Sequence, residues 1–228
     1  MRLAAWLGLI VISAVSMFAP ARAQTPEDDE LRVYAVNVVK KAPFEKEFTG
    51  YGIYLGSGKV ITAAHVVGNW PLVTNPRVLV AGLDLPATII KQGSLDDTDL
   101  ALLSVDEAEL PMSLRLRRNP LCKQPPPVGT SVIVVYPEKT VRSRVISPLA
   151  IAPQYRASYD SLIDEAEGSG SGVFFASRRC LLGIISVKVR KYNYRKQNGR
   201  IVASDAGYAG YYIGAAAIAD FIPREFPY

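Results

Sequence analysis

The chain has 228 residues, of which 49% are apolar, 21% charged and 9% aromatic, and its formal net charge is +5. This composition excludes a disordered polymer, a collagen-like fibre and a coiled coil, and the length suffices for one large domain or two small ones sharing an interface. The charge is too mild to imply a nucleic-acid partner.

Residues 1–23 read as a secretory signal peptide. Arg2 precedes an apolar run from Leu3 to about Phe18, and Ala21-Arg22-Ala23 supplies a small-x-small cleavage site. The run is shorter than the roughly 20 residues a spanning helix needs, so removal is expected rather than a retained anchor. The processed chain would begin at Gln24 in the periplasm or outside the cell, and carry +3 once Arg2 and Arg22 are gone. Cys122 and Cys180, an even count in an oxidising compartment, favour one disulfide, with two unpaired buried thiols as the alternative. Closing that loop would stabilise by about 4 kcal/mol in the chain-entropy model. His65 is the only histidine, so no zinc-type ligand cluster exists.

From residue 24 the order of elements is as follows. Residues 24–30 (QTPEDDE) form a loose acidic leader, and 33–39 a first apolar run. Residues 51–55 and 59–62 flank Gly56-Ser57-Gly58 and read as a hairpin. Runs at 77–81, 87–91 and 100–105 follow, then a connector without a period over 105–118. Pro120 and Pro125-Pro126-Pro127 stiffen a linker. Beyond it lie strands at 131–135 and 140–146, a short run at 149–152 between two prolines, and strands at 171–175, 181–189 and 208–214. Residues 215–221 (AAAIADF) read as a helix stopped by Pro223. Short strands with recurrent turn signals indicate an all-β fold, with about six strands in each half. The expected division is 24–110 for the leader and first barrel, 111–127 for the linker, and 128–228 for the second barrel and C-terminal helix.

Three segments carry chemistry: Thr62-Ala63-Ala64-His65, Asp99-Leu100-Ala101-Leu102-Leu103 and Ser169-Gly170-Ser171-Gly172-Val173-Phe174. Acyl transfer by serine needs a base within hydrogen-bond reach, a carboxylate that fixes the imidazole tautomer, and N–H groups aimed at the oxyanion. A histidine, an aspartate and a serine among glycines supply these parts. Asp99 rather than Asp96 or Asp97 immediately precedes an apolar strand. Ser171 is the rival of Ser169.

In this order the segments resemble those of the chymotrypsin-like (trypsin-fold) serine peptidases, near the bacterial glutamyl endopeptidase, exfoliative toxin and HtrA protease-domain branches. The resemblance runs from about Val33 to Phe221. It implies two six-stranded antiparallel β-barrels with a short C-terminal helix, and a catalytic triad of His65, Asp99 and Ser169. It also implies an oxyanion hole from the backbone N–H groups of Glu167 and Ser169. Leu182-Gly183-Ile184-Ile185-Ser186 resembles the strand whose serine backbone pairs with substrate. No metal or organic cofactor is implied. Ser169 is preferred over Ser171 because the motif's small residue, glycine and apolar strand follow it in register.

One position departs from the pattern. Glu167 stands where the family has the oxyanion-hole glycine, so a catalytically impaired member that binds a peptide or an envelope polymer is the alternative to an enzyme. Ile163, Asp164 and Lys188 fall at specificity-pocket positions, with conflicting implications. Gly168 precedes the serine where a zymogen would have aspartate, so no cleavage-driven activation is expected. Residues 188–200 hold six basic side chains and two tyrosines, either a solvated hairpin turning at Asn198-Gly199 or a site for an anionic envelope polymer. The expected partner is a polypeptide substrate, acted on by a monomer without stable membrane insertion.

Overall fold

A computed structural model describes residues 26–40, 48–68, 75–197 and 199–226. The 1–23 segment and Asn198 lie outside the described residues. The first half holds a short helix α1 (Pro26–Asp29), then β1 (Ala35–Lys40), β2 (Phe48–Gly56), β3 (Lys59–Thr62), helix α2 (Ala64–Val67), β4 (Arg77–Val80), β5 (Leu83–Pro86), β6 (Thr88–Gln92) and β7 (Ala101–Ser104). These strands form one antiparallel sheet in the order β5-β4-β1-β2-β3-β7-β6. After a one-turn helix α3 (Met112–Arg115) come β8 (Ser131–Val135), β9 (Thr140–Ile146), β10 (Ser161–Asp164), β11 (Gly172–Phe175), β12 (Leu181–Gln197), β13 (Arg200–Gly214) and helix α4 (Ala215–Phe221). These six strands close into a barrel, β10-β13-β12-β11-β8-β9.

Strand alternation explains why the second-half strands read as continuous apolar runs. In β8, Val132 and Val134 point into the closed barrel, among Val145, Ile163, Val173 and Ile185. Ile133 and Val135 point the other way, into a core shared with Ile53, Leu55, Leu100 and Leu102 of the first sheet. Both faces are therefore buried, and no polar alternation is left to see. The outward face of the barrel packs against the first sheet, and the cleft between them is where the two halves can present side chains to one another.

The first sheet has seven strands rather than about six, because Leu83–Pro86 pairs with β4 in the register Arg77↔Pro86 to Val80↔Leu83. The leader is not loose over its described part. Pro26–Asp29 forms a helical turn, and Asp28 is buried with its carboxylate 2.6 Å from the Arg142 guanidinium on β9. Arg32 donates twice to the Pro137 carbonyl, at 3.0 and 2.8 Å, so the segment that precedes β1 straps the second barrel. The 105–118 connector contains α3, which buries Leu114. The 149–152 run is not a strand: Leu149 and Ala150 lie in a 3₁₀ turn at Pro148–Ala150, and Ile151 and Ala152 link it to a second at Pro153–Tyr155. Cys122 and Cys180 form a disulfide with Cα atoms 5.2 Å apart, a separation suited to such a bridge. Beside it, Leu121 bridges Leu181 in parallel.

Candidate active site

Strand register brings His65 to Asp99. β3 pairs with β7 so that Thr62 faces Ala101. Continuing two residues past both strand ends sets the start of α2 opposite Asp99. The Asp99 carboxylate then grips His65 twice: Oδ2 lies 2.8 Å from the imidazole Nδ1, and Oδ1 accepts the His65 backbone N–H at 3.0 Å. The Asp99 side chain is 1% exposed and the imidazole 28%. An ionised carboxylate can only accept, so a neutral imidazole paired with it carries its proton on Nδ1 and presents Nε2 as an acceptor. A third donor reaches the same carboxylate from the other half of the molecule, the Ser186 hydroxyl on β12. Ser186 is fully buried and its Oγ also lies 3.4 Å from the Tyr159 hydroxyl.

Ser169 lies in the turn between β10 and β11. Its carbonyl accepts the Tyr51 N–H of β2 at 2.9 Å, and the next N–H, of Gly170, donates to the Ile185 carbonyl at 2.7 Å. Gly170 is therefore wedged between the two sheets. Its φ is +86°, and a Cβ there would stand 1.8 Å from the Tyr51 carbonyl oxygen and 2.7 Å from the Thr62 hydroxyl. Only glycine fits. The same contacts set Ser169 against β2, the neighbour of the strand that leads into His65, and set Gly170 against the strand that carries Ser186. The two candidate serines differ in environment. Ser171 is fully buried, and its hydroxyl donates to the Glu167 carbonyl at 3.2 Å. Ser169 is half-buried, and no hydrogen bond from its hydroxyl or N–H to protein is found among the described residues.

Glu167 is held at both ends. Its carboxylate lies 2.6 Å from the Lys188 ammonium, which in turn sits 4.2 Å from the centre of the Tyr208 ring. Its carbonyl accepts the Tyr136 hydroxyl at 2.6 Å, and its N–H donates back to the same phenol at 3.3 Å. Burial pushes the Tyr136 phenol well above its ordinary value, so the hydroxyl remains a donor.

The other sequence-selected positions lie apart from this cluster. Ile163 is inside the closed barrel. Asp164 holds Lys191 and Arg144, the latter at 3.2 Å. Burial raises the Asp164 carboxyl, but Lys191 and Arg144 outweigh it and leave the group below its usual value. Asp164 and Lys188 thus have separate partners. Sequence reasoning missed Tyr136 and Tyr159, whose roles depend on contacts across the molecule. It also missed a cavity of about 390 Å³ beside Ser186, walled by Leu95, Tyr155, Tyr159, Val187, Val189 and Tyr211 together with the polar Asp96, Gln154 and Ser158. There Tyr159 and Tyr211 stack with ring centres 4.7 Å apart.

No protein-family model matches the chain, and no curated protein matches it in sequence. In three dimensions it is similar to the active form of Rv3671c protease from M. tuberculosis, with TM-score 0.61 and 19% identity over 95% of this chain and 92% of that one. Deg5 superposes with TM-score 0.58 and 16% identity over 85% and 90% of the two chains. Kallikrein-related peptidase 10 does so with TM-score 0.57 and 16% identity over 83% and 93%. What these proteins share with the chain is architecture: it has the chymotrypsin-like, or trypsin, fold of the serine proteases.

Proposed function

We propose that the chain is an exported serine endopeptidase in which Ser169 is the nucleophile, His65 the general base and acid, and Asp99 the residue that orients the imidazole. The observation that carries this reading is the buried Asp99 carboxylate, which accepts the His65 backbone N–H and lies 2.8 Å from its imidazole Nδ1; Ser169, in the glycine turn, is the less buried of the two candidate serines. In the proposed reaction His65 Nε2 takes the Ser169 hydroxyl proton as Oγ attacks the scissile carbonyl. The imidazolium then returns that proton to the leaving amine, and an acyl-serine remains. Water, deprotonated by the same imidazole, attacks the acyl carbon, and the imidazolium returns that proton to Oγ as the acyl–oxygen bond breaks, which releases the acid and the free serine. Asp99 keeps the imidazole in the productive tautomer throughout.

The Ser169 and Glu167 N–H groups are the proposed oxyanion donors. The Glu167 N–H must leave the Tyr136 phenol to serve, and at 3.3 Å that bond is a weak one to give up. Pairing with Lys188 offsets the carboxylate charge that would otherwise oppose a developing oxyanion. The substrate is a polypeptide laid along β12 at Ser186, with an apolar side chain in the tyrosine-walled cavity. Export through residues 1–23, and domains bounded at 24–110 and 128–228, belong to the same proposal. The Cys122–Cys180 disulfide accords with an oxidising compartment.

A fluorophosphonate probe tests the reading. Wild-type protein should label covalently, and Ser169→Ala should not. Equal labelling of the alanine variant would remove Ser169 from the role. Absence of labelling in folded wild type would favour the impaired, binding-only form.

A further inference from the structure

β12 and β13 run on beyond the barrel. Outward of the pair Val189↔Ala209 neither strand pairs with a third strand among the described residues, and the ribbon continues to Gln197↔Arg200; its root still touches the barrel, where the Tyr208 carbonyl accepts the Glu165 N–H at 3.1 Å and Tyr192 and Tyr194 line one side of an open cavity against Ile146 and Leu162. At about 3.3 Å per residue this arm is on the order of 30 Å long. A lone two-stranded ribbon is marginal in water, and nothing on its polar backbone requires large apolar side chains. Yet the outer part displays Tyr194 (69% exposed), Ile201 (76% exposed), Tyr192 and Val202.

The charges are sorted along the arm. At its root each cation has an acidic partner: Lys188 with Glu167, Arg190 with Asp205, and Lys191 with Asp164. At its tip Arg195, Lys196 and Arg200 are exposed and have no acidic partner among the described residues. The register puts tip cations and apolar groups together on both faces. Lys196 lies across from Ile201, on the face of Tyr194, and Arg195 across from Val202, on the opposite face with Arg200.

We propose that the tip of the β12–β13 ribbon is a docking surface for an anionic lipid surface. Unpaired cations meet the headgroup charge, while Tyr194 and Ile201 enter the boundary between headgroups and acyl chains. Tyrosine suits that boundary because its ring is apolar and its hydroxyl stays wet. A soluble polyanion would be served by the cations alone and gives Ile201, Val202 and the exposed part of Tyr194 nothing to cover them. The docking is peripheral, with every ribbon N–H and C=O pairing left in place. It uses no step of the proposed peptidase chemistry, so it stands or falls separately.

Sedimentation of the exported, processed chain with vesicles tests it. Binding is expected to vesicles that mix phosphatidylglycerol with phosphatidylcholine, but not to phosphatidylcholine alone, and to weaken as ionic strength rises. Each basic side chain near such a surface contributes roughly fivefold in affinity, so Arg195→Glu, Lys196→Glu and Arg200→Glu together should cost on the order of 10²-fold or more. Tyr194→Ser with Ile201→Ser should cost on the order of tenfold with the charges intact. Circular dichroism and thermal unfolding check that both variants stay folded. No binding to the anionic vesicles overturns the proposal. So does binding to polyglutamate as tight as to vesicles with no effect of the Tyr194 and Ile201 changes, an outcome that points to an anionic polymer instead.

Discussion

The two halves of the candidate site are held in different ways. His65 and Asp99 meet because β3 and β7 are hydrogen-bonded neighbours in the register Thr62↔Ala101. The serine turn has no such neighbour-strand logic. It is held by Tyr51 from the first sheet, by Ile185 from β12, and by the Tyr136 phenol beneath Glu167. The meeting of His65 with Asp99 is thus set by the register of one sheet, with Ser186 of the second barrel adding a bond to the same carboxylate. The nucleophile turn takes its shape only when both sheets and their interface are in place. A change in the first region should therefore act on chemistry with the fold intact, and a change in the second should act on both.

Asp99→Asn breaks that comparison hardest. The carboxamide can hold the ring while favouring the wrong tautomer, and kcat should fall by about 10⁴ with the unfolding midpoint little changed. Steady-state kinetics with a peptide substrate alongside thermal unfolding would separate the two effects. A loss of stability as large as the loss of rate would contradict the register argument.

Gly170→Ala attacks the turn. With a Cβ driven into the Tyr51 carbonyl and a left-handed φ, it should cost more than about 3 kcal/mol and take activity down with stability. Urea unfolding would read this directly. A folded, fully active alanine variant would mean that the turn is not pinned between the sheets.

Replacing both Cys122 and Cys180 by serine should cost about 2–4 kcal/mol by freeing the unfolded chain, while residual folded protein keeps its kinetics. The disulfide ties the segment before β8 to the start of β12 and touches neither His65 nor Asp99. Chemical denaturation with labelling at low denaturant checks both parts.

Ser171→Ala sharpens the distinction between the two serines at the smallest cost. The Glu167 carbonyl keeps its bond from Tyr136, so the loss should be about 1 kcal/mol with labelling retained. Abolished labelling in a folded Ser171→Ala protein would transfer the nucleophile role.

Some of this was open to reading in the residues. The hairpin around Gly56-Ser57-Gly58 and the strands at 131–135 and 140–146 carry strong local signals, and the structure has them. Ser161–Asp164 carries none: it is short, bounded by acidic residues, and becomes a strand only because it fills the gap between β9 and β13 that closes the barrel. The outer ribbon was legible at its turn, where Asn198-Gly199 signals a hairpin over 188–200 and Gln197 pairs with Arg200; the stretch 201–207 was not, because its residues lack an apolar run and its strand rests on cross-strand pairing. The leader read as loose because acidic residues commonly face water. Asp28 instead finds Arg142, a partner more than a hundred positions away.

The residues by themselves determined the alternation of short strands, the even cysteine pair, and the order of a histidine, an aspartate and a glycine-flanked serine, because these depend on side-chain type and near-neighbour spacing. Tertiary structure alone decided which serine is accessible, that Ser186 reaches Asp99, and that Lys188 rather than water meets Glu167. Each of those contacts joins groups far apart along the chain, and burial and hydrogen-bond geometry exist only once the sheets have packed.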